Sequence, residues 1–199
     1  MDKTEVLNFW FGELDGDVTK ESRQKLWFTG GQDVDQEITE RFQDIVSQAG
    51  QGRLTDWMET PDGTLALIIL LDQFTRNIYR GLGAAFRHDE YALAVCKKGL
   101  AKGFDAELPA IQRVFFYLPL EHSELLEDQE ESLFRFSQLI KAVDEQHKLM
   151  FENFYHFAEE HHDIVARFGR FPHRNSTLGR LSSEKEIQYL SGGGARFGQ

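Results

Sequence analysis

The stretch "DQFTRNIYR", residues 72–80, sets two arginines and an asparagine beside an acid at helical spacing. On a helix Asp72 and Arg76 lie four apart, as do Gln73 and Asn77, and Arg76 and Arg80, so the polar groups share one edge beside an apolar stripe. Two arginines can grip a carboxylate or phosphate through paired N–H donors, with Asp72 holding one of them in place. Asp72 and Arg76 can equally form a plain salt bridge. A second cluster, "YLPLEHSE", brings Glu121 and His122 just past Pro119. Pro119 is expected to end one helix and Ser123 to cap the next, leaving Glu121 and His122 in a corner between helices. A Glu and a His there suit general acid/base work.

The third cluster is "RFGRFPHRNSTLGR", residues 167–180, with four arginines and a histidine among fourteen residues and no acid. Gly169 offers a helix stop and Pro172 excludes regular helix just beyond it, so "GRFPHRN" is expected to be a defined turn, with Asn175 capping the "STLGR" segment. Helix-end electrostatics account for Arg167 and partly for Arg170, but not for Arg174 and Arg180. Arg170, His173, Arg174 and Asn175 are therefore expected on one rigid corner. His161, in "EEHHD", falls on an apolar helical stripe and reads as a hydrogen-bonded core histidine. No metal site is expected, because neighbouring helical residues diverge by about 100° and no diagnostic ligand spacing occurs. No nucleophile signature is present: Cys96 sits mid-helix on a face expected to be packed.

These clusters need elements to position them, and the chain reads as helical throughout. "TEVLNFWFG" is a short docking helix with Thr4 as its expected cap. "DVDQEITERFQDIVSQAGQG" places Ile38, Phe42, Ile45, Val46 and Ala49 on one stripe. "TPDGTLALIILLDQFTRNIYRG" is apolar at too many positions for a surface helix, which makes it the most buried one, running to about Tyr79. Helices are also expected over about 89–102, from Pro109 to Pro119, over about 123–146 on Leu125, Gln129, Ser132, Phe136, Leu139 and Val143, and from about 145 to 168 on Met150, Phe154, Phe157, His161, Ile164 and Phe168. "SSEKEIQYL" is a short helix with a capping box from Ser183 to Glu186. No strand pattern occurs. The fold class is all-α, an antiparallel bundle or superhelix of about seven to nine helices, with one domain over 1–191 and a frayed Gly-rich tail over 192–199.

A formal net charge of -11 argues against a surface devoted to nucleic acid, while leaving room for a local basic pocket. One cysteine and no disulfide pair suit a reducing compartment. The longest apolar run, residues 65–71, falls well short of the roughly 20 residues a bilayer span needs, and the acidic N-terminus lacks signal-peptide character, so the expected setting is cytoplasmic without membrane contact. The 17 Phe and three Trp are explained by core packing, and no cofactor is expected.

Taken together, "LNFWFG", "LALIILLDQFTRNIYRG", "FFYLPLEHSE" and "RFGRFPHRNSTLGR" resemble the DUF924 family of uncharacterised bacterial proteins, in order along nearly the whole chain. The resemblance implies an α-helical fold similar to tetratricopeptide-repeat (TPR) superhelices and brings no activity, substrate or cofactor with it. Thr75 departs from the pattern, which often has proline there. The expectation is a small-molecule site where helices meet. Arg76, Arg80, Arg170 and Arg174 would recognise an anionic metabolite, and Asn77, Glu121, His122, His173 and Asn175 would orient it or move protons. A TPR-like scaffold binding an acidic peptide or partner is the alternative, and buried Arg/Asp networks that only knit helices together are a third.

Overall fold

The computed structural model describes residues 2–197, and its architecture is all-α apart from one minimal hairpin. Helix α1 (Lys3–Phe11) is capped by Asp2 rather than Thr4, in a capping box with Glu5, and buries Val6, Leu7, Trp10 and Phe11. The hairpin pairs β1 (Leu14–Asp15) with β2 (Val18–Thr19); two residues per strand are too few to leave an alternating signature. Helix α2 (Gln32–Gly50) buries the expected stripe of Ile38, Phe42, Ile45, Val46 and Ala49.

The central rod starts at Thr60, whose side chain caps Gly63 N–H with Pro61 in the first turn. It runs as α3 (Pro61–Ile68), a π-helical segment (Ile69–Phe74) and α4 (Thr75–Ile78). Every residue from Leu65 to Asn77 is buried, so all its faces meet protein. The apolar run stays helical because its faces are covered by α1, α2, α5 and α6.

Helices α5 (Asp89–Ala101), α6 (Ala110–Glu121), α7 (Leu126–Ala142) and α8 (Lys148–Phe168) follow, α5 packed on α3 and the π-helical segment and each later helix on the one before it in the chain. Pro119 does not end α6. It lies inside the last turn, where a missing N–H costs one bond. The carbonyls freed at this helix end are taken by the Gln129 amide of α7, which donates to Glu121 O at 2.6 Å and Ser123 O at 2.7 Å. Leu125, expected on the inner stripe of α7, is instead the exposed N-cap. On α8, Phe157 is exposed while Phe151 and Ala158 take the inner face beside Phe154, His161 and Ile164.

The turn after α8 forms as expected: Gly169 is left-handed at φ 70° and Pro172–Arg174 is a single 3-10 turn. Helix α9 (Glu184–Ser191) carries the Ser183/Glu186 capping box. Residues 192–197 fold back, with Ala195 N–H donating to the Tyr189 hydroxyl; positions 198 and 199, part of the expected tail, lie outside the described residues. Among the described residues no helix is long and apolar enough to cross a membrane.

Glu186 ties α9 to the turn, accepting from Arg170 Nε and NH2 at 2.7 and 2.9 Å, from Asn175 and from Ser183 N–H. Arg170 above all holds its carboxyl well below the ordinary Glu value. Stability from this group is therefore complete above the ordinary value and drains as pH falls below it. Glu186→Gln is expected to lower the melting temperature at pH 7 and to make progressively less difference as pH drops below about 4. A thermal melt series would sink the assignment if the deficit stayed constant with pH.

Candidate functional site

A cavity of about 320 Å³ opens where the rod, the C-terminal end of α6, α8 and the 172–174 turn converge. One wall is apolar and aromatic, built from Trp27, Phe28, Val114, Leu118, Phe136, Phe154 and Phe157. The other end is polar. The rod contributes Gln73, Arg76 and Asn77, with Arg80 just beyond it; α6 ends in Glu121 and His122; α8 supplies His161; the turn supplies His173 and Arg174.

The π-helical segment explains how one helix turns so many polar side chains toward this point. A π bulge adds a residue to the turn and shifts the face that comes after it, and Thr75 secures the shift by donating to Leu71 O and Asp72 O. Asp72, fully buried, accepts from His122 Nδ1 at 2.8 Å and pairs with Arg76 at 3.3 Å. Arg76 also donates twice to Asp89, at 3.0 Å each. Arg174 donates to the His122 carbonyl at 3.0 Å and reaches Asp89 at 3.5 Å. Asp35 of α2 accepts from Asn77 and, through both oxygens, from Arg80.

These contacts set the protonation states. Burial alone would raise the Asp72 carboxyl, but Arg76 and then His122 outweigh it and hold it well below the ordinary range. Burial, then Asp72 and Glu160, push Glu121 up to about 8. Burial with Arg76 lowers His122, burial with His122 holds His161 well down, and burial with Arg174 takes His173 to about 3. Burial and Arg76 bring Arg174 down to about 10. At pH 7 the polar end therefore holds neutral imidazoles and a protonated Glu121, with Arg76 and Arg174 balanced by Asp72 and Asp89.

Seven sequence-expected residues meet here: Arg76, Asn77, Arg80, Glu121, His122, His173 and Arg174. Arg170 and Asn175 do not. Arg170 points to Glu186 and the Leu181 carbonyl, and Asn175 to Ser182, Glu186 and Arg180. Both are drawn away by the acid of α9, so the corner divides between two tasks. His161 is the core histidine expected, its Nδ1–H donating to Phe157 O at 2.7 Å, yet it also lines the cavity, with Phe197 stacked on its ring at 3.7 Å. Asp89 gave no signal in the sequence because an acid in the first turn of α5 already had a helix-dipole explanation. Among the described residues, buried polar atoms without a partner include Arg174 Nε and His173 Nδ1, both on cavity-lining residues.

Fold and site define an all-α protein with a partly open cavity that joins an aromatic wall to an Arg/His/Glu end. The chain belongs to the DUF924 family, "Bacterial protein of unknown function", whose model matches residues 6–194. It is similar to a solved protein of unknown function from Agrobacterium tumefaciens, at 33% identity and a TM-score of 0.79, over 96% of this chain and 97% of that one. Comparison with curated proteins finds no match.

Asp89 serves two buried arginines whereas Asp35 serves a half-exposed one, Arg80, whose side chain is 41% exposed against 10% for that of Arg76. Asp89→Asn is expected to cost about 2–4 kcal/mol, allowing for its partial exposure, and Asp35→Asn about 1 kcal/mol or less. Denaturant unfolding of both variants checks this, and equal losses would contradict the ranking.

Proposed function

We propose that the cavity binds a small molecule with an apolar body and an anionic head, the head at Arg174 and His173 and the body against the aromatic wall. The observation that carries this reading is the convergence of Arg76, His122, His173 and Arg174 on one end of a cavity whose remaining lining is largely aromatic. Because Arg76 and Arg174 are already balanced by Asp72 and Asp89, recognition rests on directed hydrogen bonds rather than on surplus positive charge. A ligand of this kind also suits the volume, which falls at the small end of metabolite pockets.

Acid/base chemistry on the bound molecule would draw on Glu121, His122 and His173. His122 is the best oriented of these, since the Asp72 carboxylate fixes its Nδ1–H and leaves Nε2 as the free nitrogen. A cytoplasmic setting fits the buried thiol of Cys96. A TPR-like scaffold reading an acidic peptide needs arginines on an open surface, and Arg76 and Arg174 are only 8% and 6% exposed, which favours the pocket.

A thermal-shift series tests it, because a ligand that binds only the folded state stabilises it by about 2.7 kcal/mol at a hundredfold excess over Kd. Phenylacetate and hexanoate are expected to stabilise the protein more than acetate or phenylacetamide do. Arg174→Gln is expected to abolish the difference, and Arg170→Gln to leave it intact. Shifts that ignored the carboxylate, or that survived Arg174→Gln, would reject the proposal.

A further inference from the structure

We propose that the inner end of the cavity is a divalent metal site with Glu121, His122 and His161 as its protein ligands. A donor atom from each of the three lies within 4.8 Å of the other two. They come from two elements, the end of α6 and the middle of α8, which overcomes the divergence of neighbouring side chains on a single helix.

The hydrogen bonds around the imidazoles prepare them for this role. His161 Nδ1 faces the Phe157 carbonyl, which can only accept, so Nδ1 carries the proton and Nε2 keeps its lone pair. His122 Nδ1 faces the Asp72 carboxylate at 2.8 Å, with the same consequence. A carboxylate or a carbonyl on the far nitrogen is the arrangement that fixes the tautomer and raises the basicity of metal-binding histidines. Phe197 covers the face of the His161 ring and not its edge. Glu121 is the remaining anomaly. It is 4% exposed, and among the described residues its one ion-pair contact is His161 Nδ1 at 3.1 Å, a hydrogen already given to Phe157. The arginines of the site are committed to Asp72 and Asp89 instead.

Two neutral imidazoles and one carboxylate is the donor set of catalytic zinc and non-haem iron sites. Its nitrogen content disfavours calcium and magnesium, which prefer oxygen. Charge agrees. With Glu121 ionised, three carboxylates face two guanidiniums, and a divalent cation converts that single negative excess into a single positive one, which one anionic head would complete. A cation here makes Glu121 and His122 ligands and leaves His173 as the proton carrier. The metal proposal does not depend on the organic ligand, so the two can fail separately.

The full chain, stripped with chelator, would be titrated with Co²⁺ while its visible absorption is read, and with Zn²⁺ by calorimetry. One equivalent per chain is expected, with the intense visible band of four- or five-coordinate cobalt and a raised melting temperature. Glu121→Gln and His161→Gln should each weaken binding at least tenfold, and loss of the outer partner in Asp72→Asn about 10–100-fold. His156→Gln, on the exposed face of α8, should change nothing. Circular dichroism establishes that each variant is folded, and Glu121→Gln, which keeps the shape of the side chain, serves where Asp72→Asn is not. Absence of stoichiometric uptake, or cobalt binding by folded Glu121→Gln and His161→Gln equal to that of the unaltered protein, would overturn the site.

Discussion

The structure depends on the carboxylate of Asp72, a charge placed with no solvent exposure inside the buried rod. Unpaired, an ion in that position would cost several kcal/mol, so the chain has to bring partners to it. Arg76 comes from the next turn, His122 from the end of α6, and the Gln73 amide from the adjacent residue. Each partner then carries its own need. Arg76 has more donors than Asp72 can accept and takes Asp89 at the start of α5; Asp89 draws in Arg174; Arg174 returns to the His122 carbonyl. One buried charge thus joins the rod, α5, α6 and the turn after α8 in a closed circuit. Such circuits contribute little net stability compared with apolar packing, but they are costly to break, and they fix which helix ends may meet.

A second circuit lies outside the first and shares the same turn. Arg170, Asn175 and Arg180 meet Glu186 and Glu124, and Glu124 also accepts the Phe171 N–H. This explains the run of basic residues that no helix-end argument could. Half of it clamps α9 and the α6–α7 connection to the outside of the turn, and the other half, His173 and Arg174, faces inward. Consecutive residues on a 3-10 turn point in different directions, so a single basic motif can serve both networks.

How much of the molecule the sequence made legible was decided by range. The amphipathic stripe of α2, the unusually buried rod, the capping box of α9 and the turn at Pro172 are all local patterns, and all formed. The polar edge of the rod was visible because its spacing is helical. Ion pairs between residues far apart in sequence were not: Asp35 with Arg80, Asp89 with Arg76 and Arg174, Glu124 with Arg180, Glu186 with Arg170. Each of these acids had a sufficient local explanation as a helix-start residue, a cap partner or a solvated charge. That sufficiency concealed the tertiary one. The same limit hid His161, whose apolar neighbours suit a core histidine equally well whether or not a cavity lies beyond it. The continuation of α6 past Pro119 depended on an amide from α7, which no local rule anticipates.

The cavity could be thought a packing fault left by these networks, but its lining argues otherwise. Interiors pack to the density of organic crystals, and an apolar void can close by small movements of side chains. Here Phe154 and Phe157 could approach the rod only by pressing hydrocarbon onto Arg76, Arg174 and Glu121, which would cost those groups their remaining polar contacts without supplying others. Phe28 and Phe157 are instead left more than half exposed at the margin of the cavity, although each could bury about 1.5–3 kcal/mol of apolar surface by turning inward. The polar end therefore keeps the space open against the hydrophobic drive of its own wall, and a molecule whose two ends differ as the two walls differ would satisfy both at once.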